Sequence, residues 1–241
     1  MTTISYSRPI DRPVRIQIDG GSIEADWTMP MDAQGVVIFA HGSGSSRFSR
    51  RNRIVTRELY DQNFGSLLVD LLTSDEERED MLTAALRFDV NLLSERLIAA
   101  ATWVKGEVDS AFLPVGFFAT GVGAAAALHA AAYRPNLVDA IVSRGGRPDL
   151  AGVALHKVKA PTLLIVGGDD VQGLALNRWA YWRLDCERKL EVIRGATHRF
   201  EERGALDTAT ALAMEWFDVH LSSRPTSFSL PRTTSPSALH V

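Results

Sequence analysis

Cysteine is almost missing from this chain. Cys186 is the single one in 241 residues, so no internal disulfide can form, and a reducing, cytoplasmic setting is the expectation. Charge bias is equally scarce. The 26 basic and 29 acidic residues leave a net charge of −3, which provides no footprint for nucleic acid or an anionic membrane surface. No apolar run approaches the roughly 20 residues that a membrane-spanning helix requires, and Met1 to Asp11 lacks the apolar core of a signal peptide. No metal or other cofactor is expected. What remains is a composition at the globular average, 46% hydrophobic and 23% charged, long enough for a sizeable core.

The chain reads as alternating strands and helices. Val14–Ile18 and Ile23–Met29 alternate apolar and polar residues around Asp19-Gly20-Gly21-Ser22, the pattern of an antiparallel hairpin with one wet face. Val36–Ala40, Gly65–Asp70, Leu113–Phe118, Val138–Ser143, Pro161–Val166 and Lys189–Ile193 read as strands, mostly the continuous apolar runs of a sheet covered on both faces. Helices are expected near Arg51–Gln62, Val90–Val104, Gly123–Tyr133, Leu174–Arg183 and Ala205–Leu221. The acidic run Asp75 to Asp80 reads as a solvated face or loop. These elements predict an α/β domain over residues 1–221, a doubly wound, mostly parallel sheet with an N-terminal antiparallel hairpin. Over residues 222–241, Ser, Thr and Pro make up 12 of 20 positions, and that tail is expected to be disordered.

The stretch that carries the functional argument is Val115-Gly116-Phe117-Phe118-Ala119-Thr120-Gly121-Val122-Gly123-Ala124. A buried strand breaks into a small-residue turn and an alanine-rich helix, the layout of a nucleophile elbow, G-x-S-x-G. The two positions flanking such an apex at a distance of two must be small, because strand and helix backbones nearly touch there. Ala119 and Gly123 satisfy that rule and place the apex at position 121. An apex at Thr120 would instead put Phe118 and Val122 at the crowded positions. Position 121 is glycine.

Ligands of open α/β sheets bind beyond the carboxyl ends of the strands. Four strand ends carry unusual loops: His41-Gly42-Ser43-Gly44, the turn at Gly121, Gly168-Asp169-Asp170, and Thr197-His198. An acid after one strand and a histidine after the next follow the chain order of a Ser-Asp-His hydrolase triad. Taken singly, Asp170 is equally a helix N-cap and His198 a surface loop residue. Cys186 precedes a strand rather than following one and reads as packing; His129 reads as a helix-face residue. Arg47, Arg50, Arg51 and Arg53 read as a solvated basic face.

The chain resembles the dienelactone-hydrolase-related branch of the α/β-hydrolases, the bacterial type sometimes fused to phosphoribosyltransferase domains. The resemblance rests on Ala40-His41-Gly42-Ser43-Gly44-Ser45-Ser46-Arg47, Asp70-Leu71-Leu72-Thr73, Arg87-Phe88-Asp89, Val142 through Leu150, Ala160 through Gly168, and Gly195-Ala196-Thr197-His198. It implies Asp170 as the acid, His198 as the base, and backbone N–H groups of Ser43 and Val122 as the oxyanion hole. His41, Gly42 and Gly44 would shape the loop. The departure is Gly121, where the resemblance requires a serine. A covalent acyl-enzyme through that position is impossible. Two classes of function follow: a hydrolase-like catalyst on a small ester, lactone or other carbonyl compound, with water activated directly by His198 or proton-transfer chemistry; or a pseudohydrolase that binds or senses a small apolar ligand. A small-molecule partner is expected, with a homodimer kept as an option for assembly.

Overall fold

The computed structural model describes residues 10–41 and 47–222. Eight strands form one sheet in the order β1-β2-β4-β3-β5-β6-β7-β8. The hairpin β1 (Ile10–Ile18) and β2 (Gly21–Met29) is antiparallel and joins β4 (Phe64–Val69) antiparallel as well. From β4 onward, β3 (Gly35–Ala40), β5 (Val115–Gly121), β6 (Ala140–Gly146), β7 (Thr162–Gly167) and β8 (Arg188–Ile193) run parallel. The wet face of the hairpin follows from its pattern: Ile23, Ala25, Trp27 and Met29 are buried, and Trp27 stands edge-on to Trp103 with ring centroids 5.4 Å apart.

Helices cover both faces. On one side α3 (Val90–Gly106) and α4 (Gly123–Tyr133) pack on the inward residues Ile38, Phe117 and Ala119. On the other, α1 (Arg50–Asp61) and α6 (Ala205–Leu221) pack on Val37, Phe39, Phe118 and Val142. Alternate residues of β3 and β5 thus enter opposite cores, which is why these strands are apolar throughout. Between α1 and α3 in chain order lies α2 (Ser74–Thr83), and α5 (Val171–Tyr181) completes the set of α-helices.

Two sequence expectations need revision. The acidic run is helical, because Thr73 and Glu76 form a reciprocal capping box and Asp75, Glu76 and Glu77 sit in the first turn, where the helix dipole favours negative charge. Asp80 is not solvated: it is 5% exposed and accepts from the Arg87 backbone N–H at 2.9 Å and from Arg87 Nε at 2.6 Å. The second revision is at β6, which continues through Arg144 to Gly146 rather than ending at Ser143. The tail beyond residue 222 lies outside the described residues.

Two contacts hold the carboxyl ends of the central strands. At Gly123 a Cβ would stand 2.2 Å from the Ala40 carbonyl oxygen, so α4 begins almost in contact with the end of β3. At the end of β4, Asp70 accepts from the Arg47 N–H at 2.9 Å, is paired with the Arg47 guanidinium, and lies 3.3 Å from His41 Nε2. Burial alone would raise the Asp70 pKa, but the His41 and Arg47 hydrogen bonds outweigh it and hold the carboxyl below its ordinary 3.8.

Gly123→Ala should therefore destabilise the protein by about 1–3 kcal/mol, the cost of forcing a methyl into a closed backbone contact. Gly106→Ala, with nothing within 4 Å of the added Cβ, is the control and should be neutral or slightly stabilising. Denaturant midpoints of the two variants decide; equal midpoints would refute the close-contact account. Asp70→Asn should cost about 1–3 kcal/mol at pH 7. Because the folded pKa lies below the unfolded one, the carboxylate's contribution is complete above the unfolded value and disappears as pH falls through the folded one. The stability gap between natural and variant protein should begin to narrow as pH falls below about 5 and go on narrowing below the ordinary carboxyl value; a gap that does not narrow on acidification in urea titrations would contradict it.

Candidate active site

Gly121 ends β5, the fifth of eight strands in sheet order, and α4 starts two residues later. Its φ is +54°, the left-handed region in which a side chain is strained and glycine is not. The turn is held by its own backbone: the Arg147 N–H donates to the Gly121 carbonyl at 2.8 Å. Val122 is buried at the N-cap of α4, where the first N–H groups have no acceptor within the helix. A tight strand-to-helix turn is therefore built, with glycine at its apex. Ser43, Gly42 and Gly44, assigned to the oxyanion loop by resemblance, lie outside the described residues.

The ends of β7 and β8 are drawn together by backbone contacts. A Cβ on Gly167 would lie 2.3 Å from the Ala196 carbonyl oxygen, and the Asp169 N–H donates to that same oxygen at 3.0 Å. Gly145, also at φ +54°, closes the third side: its Cβ position is 2.7 Å from the His198 carbonyl oxygen. These contacts bring the His198 loop against the ends of both β6 and β7. The Asp170 carboxylate, however, caps α5, accepting from the Gly173 N–H at 2.9 Å. A Cβ at Gly173 would stand 2.0 Å from Asp170 Oδ2, so a larger residue there would displace the capping carboxylate. His198 is exposed, and neither a hydrogen bond nor an ion pair links it to Asp170. The two residues share an edge without forming a dyad.

His41 sits at the end of β3 beside Asp70, in keeping with a loop-shaping role. Arg47, Arg51 and Arg53 are not a freely solvated face. Arg47 pairs with Asp70 and Asp26, Arg53 with Asp26 at 2.9 Å, and Arg51 donates to the Arg199 carbonyl at 3.1 Å. The 680 Å³ cavity beside Arg15, Arg47, Phe48, Asp70, Thr73 and Glu77 touches none of the elbow residues. Neither Ser143 nor Cys186 offers an alternative nucleophile. Ser143 is fully buried, and burial raises the Cys186 thiol pKa while its Sγ contacts Thr162 Oγ1 at 3.8 Å. His129 is a helix-face residue, 3.0 Å from Ser94 Oγ.

One residue escaped the sequence reading. Arg144 pairs in register with Thr120, the residue before the apex, and with Ile165 of β7. It is 6% exposed, its guanidinium lies 5.2 Å from the Phe118 ring centre and 5.9 Å from that of Phe200, and no carboxylate reaches it among the described residues. Its Nη1 is buried without a hydrogen-bond partner. Burial, reinforced by the nearby Arg51 charge, brings the guanidinium pKa down to about 10, still cationic at neutral pH. Cation–π contacts contribute about 0.5–2 kcal/mol each, against a burial cost of several kcal/mol for an unpaired ion. The charge is undercompensated. The signal for it in the sequence was a lone arginine directly following an apolar strand.

No family model matches the chain. Two Mycobacterium tuberculosis proteins, each named as a provisional phosphoribosyl transferase, are 48% identical over 216 residues, 88% of this chain. The chain spans about half the length of these curated relatives, 48%. Among solved structures, Est1E from Butyrivibrio proteoclasticus matches with a TM-score of 0.68 at 14% identity, over 85% of this chain and 98% of that one. A dienelactone hydrolase-like promiscuous phosphotriesterase from metagenomic libraries matches with a TM-score of 0.74 at 14% identity, over 90% and 100%. Both show the fold alone. The dienelactone hydrolase from Anabaena variabilis is similar in sequence as well: 47% identity and a TM-score of 0.86, covering 89% of this chain and 100% of that one. By its sheet, its elbow and its identity across the whole of that relative, the chain belongs to the dienelactone hydrolase family of α/β-hydrolases.

Proposed function

We propose that this chain holds a small ester, lactone or other carbonyl compound at the carboxyl edge beside Gly121 and handles it without a covalent acyl-enzyme. The observation that carries the reading is an elbow turn with glycine at φ +54° on its apex. The Anabaena relative, a dienelactone hydrolase, supports a lactone or ester as the compound. In this reading the carbonyl oxygen meets N–H groups of Val122 and Ser43, and His198 takes a proton from a water that attacks directly. To steady the imidazole, Asp170 must leave the α5 cap that it makes in the structure, a movement this reading requires. Losing a triad nucleophile costs about 10⁶-fold in turnover in the best-measured case, leaving about 10³–10⁴ over water from oxyanion hole and binding. Slow hydrolysis is thus the most this machinery delivers.

A second reading, binding without turnover, is favoured by Asp170. Its carboxylate is committed to the α5 cap, and a bound ligand has no need of an oriented base.

Two experiments separate these readings. Gly121→Ser should create a nucleophile within the retained site, giving a burst of phenol from short aryl esters and a mass increase on the new serine. The natural protein should show neither. Serine at a positive φ costs about 1–3 kcal/mol of strain, so the variant should also melt earlier. A folded Gly121→Ser protein with no burst would overturn the proposal that the oxyanion site and base are intact. In the natural protein, slow ester turnover should vanish in His198→Ala. Asp170→Asn keeps the cap, because Asn caps as well as Asp, so its stability should hold while turnover falls. Turnover indifferent to Asp170→Asn would make the cap that residue's whole role and favour the binder.

A further inference from the structure

The sheet ends in two edge strands of different character. β1 carries Pro13, a residue confined to sheet edges, among the charges Asp11, Arg12 and Arg15, and both devices discourage extension of a sheet. β8, at the other edge, has neither proline nor bulge. It pairs with β7 in unbroken register and with no other strand among the described residues. The direction of its backbone groups follows from that ladder. The Glu187 and Ile193 carbonyls accept from the Thr162 and Gly168 N–H groups, so the odd-numbered residues of β8 turn their backbone groups inward to β7. Those of Arg188, Leu190 and Val192 therefore point out from the edge. Leu190 packs toward the α4 side of the sheet, while Lys189 lies on the α6 side, lining a 130 Å³ cleft with Trp216 and Val219. Apolar surface flanks the edge on both faces: Val219 of α6 is 58% exposed, and Trp182, just past α5, is 73% exposed beside Tyr181, whose ring Arg188 covers at 5.0 Å.

We infer that β8 is the pairing edge for a second copy of this chain, the two strands running antiparallel about a two-fold axis at Leu190, so that one sheet continues through both protomers. Register carries the argument. Residues with outward backbone groups must face one another for hydrogen bonds to form, so the axis has to pass through a residue rather than between two. An axis at Lys189 sets that lysine against its own copy, and an axis at Glu191 does the same with the glutamate; like charges directly opposite are destabilising. An axis at Arg188 or Val192 leaves half of the strand unpaired. The axis at Leu190 sets Arg188 opposite Val192, Leu190 opposite its copy, and Lys189 opposite Glu191 on both sides, with about six main-chain hydrogen bonds. Lys189 and Glu191 already share a face, 2.9 Å apart on one protomer, so the four charges alternate in sign across the axis. A lysine on an edge strand ordinarily repels a second strand. Here the glutamate two residues on cancels that guard and supplies its counterpart. The inference stands apart from the reading of the site at Gly121.

The test is a charge swap read by sedimentation equilibrium. The natural protein should sediment at twice the monomer mass at micromolar concentration. Lys189→Glu and Glu191→Lys each turn both cross-axis pairs into like charges, and each should dissociate about 10–100-fold more readily. Mixed in equal amounts, the two variants present opposite charges to each other at every one of these positions, and the mixture should recover the dimer. A natural protein that stays monomeric up to about 100 μM, a dimer indifferent to both substitutions, or a mixture no more associated than its components overturns the inference. Hydrogen exchange on the natural protein gives a second measurement that needs no variant to fold. The amides of Arg188, Leu190 and Val192 should be protected at high concentration and lose that protection on dilution, whereas those of Lys189 and Glu191, bonded to β7, should stay protected throughout. Protection at Arg188, Leu190 and Val192 that does not change with concentration would likewise overturn it.

Discussion

The contact between Gly123 and the Ala40 carbonyl is the constraint on which the site's geometry depends. A space too small for a methyl group separates the start of α4 from the end of β3. That approach forces the chain to reverse within two residues after β5, which in turn places residue 121 in the left-handed region. Comparable backbone contacts at Gly145 and Gly167 press the His198 loop against β6 and β7. The edge is therefore assembled by main chain meeting main chain, and side chains decorate an arrangement that glycines make possible. The arrangement does not depend on a side chain at position 121, because the contacts that hold it are made by main chain.

Electrostatics at the same edge divides into a compensated and an uncompensated part. Around β4 the charges close on one another: Asp70 with Arg47 and His41, Asp26 with Arg47 and Arg53. Each group there has a partner, and such pairs resist perturbation while contributing little chemistry. Around β6 the balance is missing, since Arg144 is buried without an acid and has Arg51 for a neighbour. Clustered pairs read as scaffolding, whereas Arg144 carries a buried charge that no such pair compensates.

Much of this was legible in the sequence, for reasons that differ by element. The hairpin, β3, β5, α4 and α6 declare themselves through periodicity and through Pro135, which stops α4 at Tyr133. The apex at Gly121 follows from a steric rule about its neighbours at 119 and 123. The acidic helix α2 was missed because six charged residues in succession obscure any apolar period; its capping box, Thr73 with Glu76, was the available signal. Arg144 was missed because a charge after an apolar run looks like the end of a strand, and only the cross-strand register with Thr120 and Ile165 reveals that the strand goes on. The relation of Asp170 to His198 was beyond sequence altogether. Chain order brings them to one edge, but the competing demand of the α5 N-terminus for an acceptor is a local contest that order alone does not decide.

The make-up of α4 bears on how this protein could acquire new ligands. Ala124, Ala125, Ala126, Ala127 and Leu128 are wholly buried, so the helix lies flush on the sheet with no slack beneath it. Enlarging any of these residues would lift the helix and with it the turn at Gly121. Innovation at the site must therefore come from outside this helix, from the loops that follow the parallel strands. A laboratory library confined to those loops should sample altered ligand preference far more productively than one drawn across the helix.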